Sequence, residues 1–109
     1  MRRKDKELLE LAAKAASLKY TTANHIDYLL ISVDDGNRVV PWSPLTSDAD
    51  ALRLAVKLGL DIGLDPATNI TSEYCNIMNE FLFERHGNDP YAACRRAIVR
   101  AAAEIGETL

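Results

Sequence analysis

Asp89-Pro90-Tyr91-Ala92-Ala93-Cys94-Arg95-Arg96-Ala97-Ile98-Val99-Arg100-Ala101-Ala102-Ala103-Glu104-Ile105-Gly106 is the stretch that decides the fold. Aspartate is a good N-cap, and proline suits the first helical position because the N–H it lacks would be unpaired there. Glycine suits a left-handed exit. Start, body and stop agree on a helix over Tyr91 to Ile105, closed by Gly106. The same grammar recurs from Ser47 to Gly59. Ser47 caps, Asp48 and Asp50 favour the positive end of the helix dipole, and Leu52, Val56 and Ala49 share the apolar face with Ala55 beside them.

Working outward, Leu8, Leu11, Ala12, Ala15 and Leu18 recur at helical spacing, which predicts a first helix from about Asp5 to Leu18. Lys6, Glu7, Glu10 and Lys14 form its wet side. After Thr21 the period falls to two. Leu29, Ile31 and Val33 alternate with Tyr28, Leu30 and Ser32 as a strand, and Asp34-Asp35-Gly36-Asn37 is a turn in which glycine and asparagine take positive φ cheaply. Arg38-Val39-Val40 returns as a second strand, ended by Pro41 and Pro44 around Trp42. Leu60, Ile62 and Leu64 alternate as a third, closed by Asp65-Pro66. From Ile70 to Arg85 two readings compete. Tyr74, Ile77, Met78, Phe81 and Leu82 suit a helix face, whereas Phe81 to Arg85 suits a buried strand. No cap introduces a helix there, which favours the strand.

The expected fold is a single α+β domain spanning 1–109, with residues 1–4 frayed. About three helices surround a three- or four-stranded, mainly antiparallel sheet in a layered α-β-α sandwich.

Composition narrows the function classes. The 109 residues are 48% hydrophobic, 27% charged and only 6% aromatic, so the core should be aliphatic and rich in alanine. A formal net charge of −3 argues against a general attraction to nucleic acid or anionic membrane. No apolar run approaches the roughly 20 residues a spanning helix needs. The basic start, Met1-Arg2-Arg3-Lys4, leads into a mixed helix and not into a signal-peptide stretch, so a cytoplasmic protein with Cys75 and Cys94 as thiols is expected.

Trp42-Ser43-Pro44-Leu45-Thr46 with Asp50 to Leu58, the Asn88 to Gly106 segment, and Leu8-Leu9-Glu10-Leu11-Ala12 together resemble small uncharacterised bacteriophage and prophage proteins of the phage ABA sandwich kind. The resemblance spans most of the chain and is weakest from Leu60 to Glu80. It implies a helix–sheet–helix fold and a phage or prophage origin. It implies no reaction and no catalytic residues.

Chemistry is sparse. The five glycines are scattered and form no phosphate-cradling loop. His25, His86, Cys75 and Cys94 lack metal-ligand spacing, and no base accompanies a nucleophile at recognisable spacing. Asp34 and Asp35 with Asn37 lack the far glutamate of a calcium loop and read as a hairpin turn. No catalytic residue, metal or cofactor is therefore expected. Two binding candidates remain. Arg95, Arg96 and Arg100 on the last helix suit phosphate or carboxylate, the alternative being a solvated face with Arg100 paired to Glu104. Trp42 suits either a core plug or an interface anchor, with the aliphatic setting favouring the core. The leading expectation is a non-catalytic phage accessory protein acting in the host cytoplasm by binding another protein. Nucleotide or single-stranded nucleic-acid binding through the three arginines is the alternative. A homodimer through an open strand edge or the Tyr91, Ile98, Ile105 stripe is compatible with either.

Overall fold

The computed structural model describes residues 4–65, 70–75, 80–85 and 87–109. It is an α+β fold with three helices: α1 Asp5–Ala15, α2 Asp48–Leu58 and α3 Pro90–Glu107. Strands β1 (Tyr20–Thr21), β2 (Leu29–Val33) and β3 (Arg38–Trp42) form one antiparallel three-stranded sheet in that order. Strands β4 (Asp61–Asp65), β5 (Ile70–Cys75) and β6 (Glu80–Arg85) form a second antiparallel sheet, so the strands of the described residues fall into two sheets where the sequence reading placed one. The strand reading of Phe81 to Arg85 is the one adopted, beginning at Glu80. Its register runs from Cys75 opposite Glu80 to Ile70 opposite Arg85. Ile77, Met78 and Arg2-Arg3 lie outside the described residues.

Helix ends follow local chemistry, with two surprises. Ser47 Oγ accepts from the Asp50 N–H at 3.2 Å, and Asp89 Oδ1 accepts from the Ala92 N–H at 3.1 Å, as the capping pattern requires. α2 ends in a Schellman turn: Leu60 N–H donates to Ala55 O at 3.0 Å and Gly59 N–H to Val56 O at 3.2 Å, with Gly59 left-handed at φ 66°. α1 ends in the same way although it has no glycine. Leu18 N–H donates to Ala13 O and Ser17 N–H to Lys14 O, with Ser17 at φ 58°. The helix therefore stops at Ala15 and not at Leu18, because a serine accepted the left-handed position.

The β2–β3 hairpin also departs from the simple reading. Positive φ falls on Asp34 (53°), Asp35 (56°) and Gly36 (88°), while Asn37 stays at −75°. Short acidic side chains tolerate this region, and Asp34 Oδ2 accepts from Arg38 Nε at 2.7 Å. β3 runs through Pro41 to Trp42, since it is an outer strand and a missing donor there leaves no broken ladder.

The second surprise is Gly106. It is not the exit from α3 but lies inside it, buried against α1. A Cβ added there would fall 2.0 Å from Leu11 O and 2.8 Å from Leu11 C. The two helices run in the same sense: Asp5 meets Arg96, Leu11 meets Gly106, and Lys14 Nζ donates to Leu109 O at 3.0 Å. Small side chains make this approach possible. Ala12, Ala13 and Ala16 of the α1 segment, with Ala101, Ala102 and Ala103 of α3, are all buried. The buried face of α1 is Leu8, Leu9, Ala12 and Ala13, while Leu11 and Ala15 are only half-buried. Lys6, assigned to the wet side, donates from Nζ to Ile26 O at 2.6 Å and so holds the loop before β2.

One core joins the helices to the first sheet through Leu8, Leu9, Leu29, Ile31, Trp42, Leu54, Ile98 and Val99. α3 also packs on β5 and β6. Ile98 and Ile105 are buried, so the proposed stripe on α3 leaves only Tyr91 exposed. α2 is rotated relative to the sequence reading. It buries Ala51, Leu54 and Ala55 and turns Leu52 and Val56 outward.

Gly106→Ala should cost about 3 kcal/mol by overpacking against backbone that has little room to move. Gly59→Ala, strained but with open space around it, should cost about 1 kcal/mol. Urea unfolding of the two variants checks the difference, and equal losses would contradict the close approach.

Candidate functional site

The arginines of α3 are brought together by the helix and then separated by their partners. Arg95 Nη1 lies 2.6 Å from Asp48 Oδ1 in the first turn of α2, and its Nε donates to Leu45 O at 2.9 Å. Arg96 Nη2 is 3.1 Å from Asp5 Oδ1 at the start of α1, and its Nε is 3.9 Å from Glu84 Oε1 on β6. Arg100 Nη1 is 2.6 Å from Glu84 Oε2. Arg95 thus ties α3 to α2, Arg96 to α1 and β6, and Arg100 to β6. A phosphate approaching this face would compete with Asp48, Asp5 and Glu84 for the same donors.

The pairing of Arg100 with Glu84 differs from the helix-surface pairing with Glu104 that spacing alone suggests. Glu84 is the residue the sequence reading missed. Its signal is weak: a carboxylate on the same strand face as Leu82, one residue before the strand end. Only the packing of β6 on α3 makes it a partner for two guanidinium groups. It is about four-fifths buried, as is Arg96, so its hydrogen bond from Arg100 and its 3.9 Å ion pair with Arg96 are less screened than exposed pairs.

Trp42 is 6% exposed and belongs to the core, the first of its two sequence readings. One side of it nevertheless lines a groove of about 460 Å³ between the first sheet and α2. Ile31, Val33 and Val40 from the sheet, Leu18 after α1, and Leu54 of α2 make up most of the apolar lining, with Ala16 and Pro41 beside them. Asp50, Arg53 and Lys57 stand along the α2 side. Asp50 Oδ2 accepts from the Ser43 N–H at 2.9 Å, which anchors the segment leading into α2.

The outer side of α2 carries a different feature. Leu52 is 61% and Val56 72% exposed, one helical turn apart. Ala49 is exposed on the same side. On the last helix, Cys94 is half-buried among the alanines. Among the described residues, no helix is long and apolar enough to cross a membrane. No family model matches the chain, and neither does any curated protein or solved structure.

Glu84→Ala should cost about 1.5 kcal/mol, because Arg100 loses a hydrogen-bonded carboxylate and Arg96 keeps only Asp5. Asp48→Ala, at the exposed end of its pair, should cost under about 1 kcal/mol. Denaturant midpoints of the two variants test this ranking.

Proposed function

We propose that the protein is a non-catalytic binding module of phage or prophage origin, which acts in the host cytoplasm by engaging another protein through the outer face of α2. The observation that supports this reading is the exposure of Leu52 and Val56 on one stripe of a helix whose opposite side is in the core. Single exposed apolar residues are ordinary on any protein. Two branched aliphatics one turn apart, with an alanine beside them, form a continuous strip of the kind a partner helix or strand covers. The phage origin rests on the resemblance of the Trp42 and Asn88 segments. The alternative reading, nucleotide or single-stranded nucleic-acid binding through Arg95, Arg96 and Arg100, has less support because all three already hold carboxylates of this chain.

The test compares the natural chain with Leu52→Asp/Val56→Asp as bait in bacterial lysate and in size-exclusion chromatography. Both substituted positions are exposed, so the fold should survive, which circular dichroism checks. The doubly substituted chain is expected to lose the retained partner or the self-associated form, with affinity reduced tenfold or more. Identical retention by both baits would reject the α2 surface.

A further inference from the structure

We propose that the groove between the first sheet and α2 binds a small amphipathic anion, an aliphatic chain of medium length ending in a carboxylate. Alternation along β2 and β3 places Leu29, Ile31 and Val33 with Trp42 and Val40 on one face of the sheet. At the Leu29–Trp42 end the helices cover this face completely. Towards the hairpin they do not: Val33 and Val40 are only half-buried, and the uncovered strip faces Leu54 across the groove. The volume, about 460 Å³, is within the range of small-ligand sites, and the lining is apolar apart from one side.

That side supplies the charge. Arg53 and Lys57 are one turn apart on α2, both exposed and both on the groove lining. Among the described residues neither side chain has a hydrogen bond or ion pair, in contrast to the three arginines of α3. Asp50, the carboxylate beside them, is held by the Ser43 N–H and sits in the first turn of α2, where the helix dipole offsets its charge. Two unengaged cations over an aliphatic trough, in a chain of net charge −3, complement a ligand with an apolar tail and one anionic head. The groove uses the side of α2 away from Leu52 and Val56, so this inference stands independently of the proposed protein-binding stripe.

Decanoate, kept below its micelle-forming range, is the probe. Isothermal titration measures binding, and the emission of Trp42, the only tryptophan, reports occupancy of the groove. Saturable binding is expected, about tenfold weaker for octanoate because two methylenes leave the trough. Arg53→Gln/Lys57→Gln should weaken decanoate about tenfold and leave decanol unchanged. Leu52→Ser/Val56→Ser, which removes the apolar stripe without adding charge beside Arg53 and Lys57, should leave decanoate binding as it is, which separates this site from the protein-binding surface. Decanoate that fails to saturate, or an unchanged decanoate affinity in the Arg53/Lys57 variant, overturns the proposal.

Discussion

The contact between the backbone of Leu11 and Gly106 sets the spacing of α1 and α3, and the rest of the arrangement follows from that spacing. Any side chain at position 106 would push the helices apart, and the alanines along the same seam would lose their partners. Alanine contributes little apolar area on its own, so its value in this core depends on close packing, where many weak dispersion contacts add together. With α1 held this close, α3 becomes the element against which α1, α2 and the second sheet are all placed. The ends of the α1–α3 seam are tied by polar contacts, Asp5 to Arg96 at one end and Lys14 to Leu109 at the other.

The distribution of paired and unpaired cations follows from that geometry. Arg95, Arg96 and Arg100 lie where α3 meets three other elements, and each finds a carboxylate that the neighbouring element brings to it. Arg53 and Lys57 lie on a helix side that faces an incompletely filled trough, where the lining carboxylate is already hydrogen-bonded to Ser43. The same residue types therefore act as internal ties on one helix and stand available to an outside anion on another. Nothing in the local sequence distinguishes the two cases, since both sets sit at one-turn spacing on amphipathic helices.

The groove and the exposed stripe are consequences of how α2 is rotated. Its Ala51, Leu54 and Ala55 face the core, which leaves Leu52 and Val56 outside and sets Arg53 and Lys57 beside the sheet. The apolar residues of α2 are spread around much of its circumference, so two burial faces compete. The smaller side chains of the face chosen allow α2 to approach α3 and let Arg95 reach both Leu45 O and Asp48.

The amino-acid sequence by itself determined the starts of α2 and α3, the stop of α2, the β2–β3 hairpin and the α+β class with an alanine-rich core, and it favoured the strand over Phe81 to Arg85 against a competing helix. Caps, turns and the two-residue period act within a few neighbours, so Ser47, Asp89, Gly59 and the Leu29-Ile31-Val33 alternation are readable where they stand. Tertiary structure alone decided that Gly106 is a contact point and not a helix exit, that Leu52 and Val56 face outward, that Ser17 takes the left-handed turn, and that Glu84 receives two arginines. The Gly106 contact, the rotation of α2 and the pairing of Glu84 each depend on what a segment distant along the chain brings to within a few ångströms, and no local pattern encodes the identity of that neighbour.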